Sequence, residues 1–157
     1  MQILLIQGAN MEWLGIRQPE IYGTTSAAQL DEMLQAEAAI RDVELTIKYT
    51  NIDGEAISWI YDASRNGVDG LIMNPAGFLY AGYALRDCLR GVDLPYIEVH
   101  ISNLEKRAMK SVVASEAEGL VMGLGLDSYI LGIEAMCRVL AEWQRGGPAA
   151  LNVHNGI

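Results

Sequence analysis

Basic residues are scarce in this chain. Among 157 residues, 11 Lys and Arg stand against 20 Asp and Glu, which gives a formal net charge of −9 and a pI near 4.6. Nucleic acid and anionic membrane surfaces are held by basic patches, so neither is expected as a partner. Cysteine is scarcer still. Cys88 and Cys137 are the only two; both fall in segments of helical period, and neither has the spacing of a metal ligand. They read as small buried hydrophobes in a reducing compartment, which points to the cytoplasm. No apolar run approaches the roughly 20 residues needed to cross a bilayer. The start, Met1-Gln2-Ile3, is strand-like and lacks the basic region of a secretory signal.

Apolar residues, in contrast, are plentiful. They make up 51% of the chain against 20% charged, enough for a packed core and too many for wholesale disorder. This length suits one domain, expected over residues 1–147 with a small, polar tail over 148–157 that contains His154. Short apolar runs alternate with longer helical ones. Ile3–Ile6, Val43–Tyr49, Gly70–Met73, Tyr96–Ile101 and Leu120–Leu124 read as buried strands. Ser26-Ala27-Ala28-Gln29 has the form of a capping box, followed by Leu30, Met33 and Leu34 on one face. Asp53 is a candidate cap for a second helix, with Ile57, Ile60, Tyr61 and Ser64 towards the sheet. A third helix is expected from about Phe78 to Leu89. A last one, from about Ser128 to Gln144, carries Ile130, Ile133, Met136, Cys137 and Leu140 and stops at Gly146-Gly147-Pro148.

Strand and helix in strict succession imply right-handed βαβ units and a parallel sheet covered on both faces. The expectation is an α/β, flavodoxin-like three-layer sandwich with five parallel strands in the order 2-1-3-4-5. In such a sheet ligands bind beyond the carboxyl ends of the strands, where strand order reverses, here between the first and third strands. The first strand delivers Gly8-Ala9-Asn10 and then a connection running to Thr25. Such loops usually take about 2–6 residues, so this long one, holding Trp13, Arg17, Pro19 and Tyr22, is read as a lid. The third strand delivers Asn74-Pro75-Ala76-Gly77 and Phe78-Leu79-Tyr80. The fourth ends in Glu98-Val99-His100-Ile101-Ser102-Asn103, with Glu98 and His100 on one face by period 2. Each of these polar groups has a bland reading as a turn former, a solvated charge or a satisfied core residue. Together, at one sheet edge, they point to a site. Gly119–Gly125 is glycine-rich but lacks the lysine and the following helix of a phosphate loop, and no His/Cys/carboxylate spacing suggests a metal.

These same stretches carry a resemblance. Gln7-Gly8-Ala9-Asn10, Arg17-Gln18-Pro19-Glu20-Ile21-Tyr22-Gly23, Asn51-Ile52-Asp53-Gly54-Glu55, Asn74-Pro75-Ala76-Gly77, Ala84-Leu85-Arg86-Asp87 and Glu98-Val99-His100-Ile101-Ser102-Asn103 are similar to the type II 3-dehydroquinate dehydratases over about residues 2–140. The resemblance implies an enzyme that removes water from 3-dehydroquinate through an enolate, with no metal or organic cofactor, in trimers usually gathered as a dodecamer. It implies that Tyr22 takes the proton beside the ketone, that Arg17 favours the tyrosinate, and that Asn10 orients a water on the enolate oxygen. A tyrosine ionises near pH 10 on its own, so a base of this kind needs a neighbouring cation. Asn74, His100, Ile101 and Ser102 are implied to hold the substrate, Glu98 to support His100, and Asp87 to arrive from a neighbouring subunit.

Departures from the family pattern are equally visible. Tyr80 stands where the resemblance places a histidine that protonates the leaving hydroxyl. The stretch between Arg107 and Ser111 is shortened, leaving Lys110 as the nearest approximation to a substrate-reaching arginine. Glu12 adds negative charge near a pocket for an anion, and Leu79, Ala81 and Gly82 suggest a greasier, roomier cleft. Three readings follow: a 3-dehydroquinate dehydratase, a lyase or isomerase acting on another carbonyl compound, and a non-catalytic homologue.

Overall fold

A computed structural model describes residues 1–144 of the chain; the expected helix stop at Gly146-Gly147-Pro148, the tail and His154 lie outside the described residues. Five strands, β1 (Gln2–Ala9), β2 (Glu44–Tyr49), β3 (Gly70–Ala76), β4 (Tyr96–His100) and β5 (Gly119–Met122), form one parallel sheet in the order β2-β1-β3-β4-β5. This is the expected architecture. Five helices accompany it: α1 (Pro19–Tyr22), α2 (Ala27–Ile40), α3 (Asp53–Arg65), α4 (Tyr83–Arg90) and α5 (Asp127–Gln144). Among the described residues no helix is long and apolar enough to cross a membrane.

Two cores flank the sheet, because alternate side chains of each strand point to opposite faces. On one face Ile3, Leu5, Ile72, Ile97 and Val99 meet α2 and α5 through Leu30, Leu34, Ile133, Met136 and Leu140. On the other, Leu4, Ile6, Leu71, Met73 and Tyr96 meet α3 and α4 through Ala56, Ile60, Leu85 and Cys88. Cys88 is buried and Cys137 half-buried, both as free thiols. The sheet sits close against its helices: a Cβ on Gly132 of α5 would come within 2.5 Å of a Val99 methyl.

Local signals held with adjustments. Ser26 forms the full capping box, its hydroxyl accepting from the Gln29 N–H while the Gln29 side chain accepts from the Ser26 N–H. Asp53 is not the cap of α3. That position belongs to Ile52, whose N–H donates to Thr50 Oγ1, so the entry to the helix is set two residues earlier by a threonine. The sheet-facing stripe of α3 is Ala56, Ile60 and Ala63, while Tyr61 is exposed and Ser64 turns outward. Two alanines let that helix lie close to β1, and the bulkier residues rotate to its flank. The expected third helix is split by Ala81-Gly82 into a 3-10 turn over Gly77–Tyr80 and α4. The last helix begins directly after the glycine-rich run, one residue before the expected Ser128, and it opens with an acidic residue, Asp127, which is hostile to phosphate.

Candidate active site

The carboxyl ends of β1, β3 and β4 lie side by side, with Gln7 opposite Asn74, Ala9 opposite Ala76, and Met73 opposite Glu98. β1 and β3 approach so closely that a Cβ on Gly8 would come within 2.1 Å of the Pro75 carbonyl oxygen. The chain leaves β1 through Asn10 in a left-handed conformation (φ 78°), which asparagine tolerates, and the Asn10 N–H donates to Asn51 Oδ1 at 2.8 Å. Buried Met11 and Leu14 then anchor the base of the long connection. Gly15 (φ +86°) lies where a Cβ would be 2.9 Å from the carbonyl oxygens of both Thr24 and Thr25. The two ends of the lid are thereby pinned together, and its middle carries Arg17, Gln18 and α1 with Tyr22.

β3 ends in a backbone that only a supported residue tolerates: Ala76 has φ 46° and ψ −119°. Support comes from below. Asn74 Oδ1 accepts the Ala76 N–H at 3.0 Å, and Asn74 Nδ2 donates to the hydroxyl of Tyr129, which in turn donates to Gln7 Oε1 at 2.7 Å. Burial pushes the Tyr129 phenol well above its ordinary ionisation range, so it stays a neutral donor. Asn74 is thus tied into the floor, with its amide already engaged by the protein.

Above this floor lies a cavity of about 260 Å³. Its polar wall is Asn10, Arg17, Tyr22, His100, Ser102 and Arg107; its apolar wall includes Trp13, Leu14, Leu79, Leu104 and Met109. Arg107 Nη1 donates to the Tyr22 hydroxyl oxygen at 3.0 Å and to Ser102 Oγ at 2.8 Å, and its guanidinium stands 5.6 Å from the Tyr22 ring centroid. His100 is buried and its Nε2 meets Glu98 Oε1 at 2.6 Å, while Glu98 Oε2 accepts from the Tyr96 hydroxyl at 2.7 Å. Tyr80 stands at the rim, 65% exposed. Among the described residues no three His, Cys, Asp or Glu side chains gather closely enough to hold a metal ion.

Most of the expected site residues therefore meet. Asn10, Arg17, Tyr22, Asn74, Tyr80, His100, Ile101 and Ser102 line the cavity, and Glu98 lies directly behind His100. In two places the geometry departs from or adds to the expected set. Lys110 is exposed and outside the lining, and the cation supplied by its segment is Arg107. The guanidinium bonded to Tyr22 is likewise that of Arg107, whereas Arg17 is exposed on the lid. The reason is geometric: the 3-10 turn Glu105–Arg107 folds the chain back over the end of β4 and carries Arg107 inward across five residues to Ser102. Glu12 and Ala81 are exposed and Gly82 is buried, all three outside the lining, so only Leu79 of the expected greasy trio contributes. Asp87 is exposed on α4, outside the cavity of its own chain.

The family profile described as "Dehydroquinase class II" matches residues 1–137. This chain belongs to the class II dehydroquinase family. It is 40% identical over 141 residues to the 3-dehydroquinate dehydratase of Cellvibrio japonicus (strain Ueda107), covering 88% of this chain and 95% of that one. It is 39% identical over 146 residues to the catabolic 3-dehydroquinase of Sclerotinia sclerotiorum (strain ATCC 18683 / 1980 / Ss-1), covering 90% and 95%. Among solved structures, the type II dehydroquinase of Butyrivibrio crossotus DSM 2876 superposes with a TM-score of 0.83 at 36% identity, covering 87% of this chain and 97% of that one. Within this dehydroquinase fold, Arg107, Met109 and the Gln7–Tyr129–Asn74 support are the features of the cavity that sequence reasoning missed. Arg107 had a signal, being a basic residue one short turn beyond the polar end of a buried strand.

Proposed function

We propose that this chain is a 3-dehydroquinate dehydratase that works without metal or organic cofactor, in the cytoplasm, on a small anionic carbonyl substrate. The observation that carries the reading is the 3.0 Å bond from Arg107 to the Tyr22 hydroxyl inside a cavity that also presents His100 backed by Glu98. A carbon acid beside a ketone needs a base, a home for enolate charge, and an acid for the leaving group. Tyr22 takes the proton, with the negative charge of its oxygen held by the charge-assisted bond from Arg107. The electron pair left on carbon passes into the ketone as an enolate, whose oxygen faces Asn10 and the water it orients. Collapse of the enolate forms the new carbon–carbon double bond and breaks the carbon–oxygen bond, and the departing hydroxide leaves as water.

The leaving-group proton is assigned to His100 rather than Tyr80. His100 is a buried member of the cavity wall, and engagement of Nε2 by Glu98 leaves Nδ1 as the ring nitrogen for the substrate. Imidazolium is a far stronger acid than a phenol, which gives up its proton only near pH 10. On this assignment the chain has a base, an acid and two cations, and the tyrosine at the rim costs little. Ser102, Ile101 and Asn74 define the substrate-facing floor, and Arg17 supplies a second positive charge as the lid comes down over the carboxylate.

Assembly as a homo-oligomer, a trimer or a dodecamer of four trimers, belongs to the same proposal, with Asp87 of a neighbouring copy completing the site. Its support is that Tyr80 at the cavity rim and, after it in the chain, Tyr83 and Asp87 of α4 are all exposed. Light scattering reads it: a trimer or larger is expected, and a stable monomer overturns it. For the activity, purified protein mixed with 3-dehydroquinate should generate the ultraviolet absorbance of a conjugated enone. No absorbance growth above background at high protein concentration overturns the reading.

A further inference from the structure

Glu98 is a carboxylate with 0% exposure, and it has two partners rather than one. His100 takes Oε1 at 2.6 Å; Oε2 accepts the hydroxyl of Tyr96 at 2.7 Å, two residues back on the same face of β4. We propose that Tyr96 is a positioning residue which, through Glu98, sets how tightly the His100 imidazole holds its proton. The proposal deepens the reading of His100 as the acid of this site and rests on it for its catalytic consequence, though not for its effect on the imidazole.

Two donors, the Tyr96 hydroxyl and the His100 ring, compete for one buried anion. A carboxylate taken out of water must find donors for its lone pairs, and every donor it gains spreads its charge. The phenol of Tyr96 is 1% exposed, and burial, then Glu98 itself, push its ionisation far up, so it stays a donor throughout the working range. A donor on Oε2 stabilises the bare carboxylate most when His100 is neutral and less when an imidazolium already neutralises it. The bond therefore works against proton retention by the imidazole that Glu98 holds. A more readily released proton is what delivery to a leaving hydroxide requires.

The surroundings leave Tyr96 as the distinctive influence on this carboxylate. Across the sheet Glu98 faces Met73 of β3 and Leu120 of β5, and His100 faces Met122, none of them ionisable. On the helix side the titratable member of the same core is Cys88 of α4, which burial keeps as a thiol. On the cavity side stand Arg17, Tyr22, Tyr80 and Arg107, and the lining holds no carboxylate.

The test follows the two histidines of the chain, His100 and His154, by NMR of imidazole-labelled full-length protein, with His154→Ala assigning the signals. In Tyr96→Phe, which keeps the buried ring and deletes only the hydroxyl, the His100 titration should move up by about one pH unit, the scale of one lost hydrogen bond to a charged group. The high-pH limb of kcat should move up with it. In a Glu98→Gln background the same substitution should leave His100 where it was, since the carboxylate that transmits the effect is gone. A His100 titration that is unmoved, shifted down, or absent in both proteins overturns the proposal. Should Tyr96→Phe not fold, 3-fluorotyrosine at position 96, a stronger donor, must shift His100 down, and no shift overturns it. A shifted His100 signal with an unmoved kcat profile would sink the acid assignment and leave the Tyr96 coupling standing.

Discussion

Arg107→Met removes a guanidinium while keeping an apolar stem of similar reach, so it tests what the cation does for Tyr22. Opposite charges 3.0 Å apart interact by about 5 kcal/mol at an effective dielectric of about 20. Arg107 is only half-buried and water screens part of that, so the realistic loss is the roughly 1.5–3 kcal/mol of a hydrogen bond to a charged group. Each 1.36 kcal/mol is tenfold in rate, which predicts a fall in kcat/KM of about 10- to 150-fold at pH 7. The variant should also keep gaining activity towards pH 10, where a tyrosine ionises unaided. The assay is growth of enone absorbance from 3-dehydroquinate across pH 6–10, with Arg17→Met alongside. An Arg107→Met enzyme within threefold of the parent at every pH, or Arg17→Met alone reproducing the pH signature, refutes the assignment of Arg107 as the cation on the base.

Other perturbations give independent readings. His100→Asn should cost about 10²–10⁴-fold in kcat, the usual contribution of a general acid, whereas Tyr80→Phe and Tyr80→His should change it by only a few-fold; steady-state kinetics decide between the two candidates for the leaving-group proton. Gly8→Ala should lower the thermal midpoint, because its methyl has to displace the Pro75 carbonyl at 2.1 Å; overpacking of this kind typically costs about 1–3 kcal/mol, and an unchanged midpoint would mean that β1 and β3 separate easily. Burial alone would raise the Glu116 carboxyl, yet Arg90, Ser115 and Arg86 together hold it below its usual range. Its contribution to stability is therefore present above about pH 4.3 and lost as pH falls through its lower folded value. Glu116→Gln should destabilise by about 1 kcal/mol at pH 7, after allowance for the exposed arginines, and by progressively less as pH falls below the carboxylate range, as read by thermal unfolding across the acid range.

The fold was legible because its signals were local and repeated. Five β-branched or leucine-rich runs separated by helical spacing admit few topologies other than a parallel, doubly wound sheet, and the Ser26–Gln29 box marked its helix start to the residue. The site was legible for the same topological reason: strand ends in such a sheet converge, so Asn10, Asn74 and His100 had to meet. What eluded sequence was every contact made by a turn. Nothing in Glu105-Lys106-Arg107 announces a 3-10 turn that swings Arg107 back to Ser102 and Tyr22, and the family resemblance led instead to Lys110. The Asn74 amide looked free for substrate because Tyr129, 55 residues away, gives no sign in sequence that it will be its partner. On α3, periodicity alone cannot say which of two adjacent stripes faces the sheet when the smaller residues pack closer than the larger ones.

Loss of the proton itself is the most direct test of the account. 3-Dehydroquinate incubated with the enzyme in deuterated water, and followed by NMR at the carbon beside the ketone, should take up deuterium rapidly with the parent protein and with Tyr80→Phe. Uptake should be slow with Arg107→Met and reduced to the solvent background with Tyr22→Phe. Exchange by Tyr22→Phe at the parental rate would contradict the account.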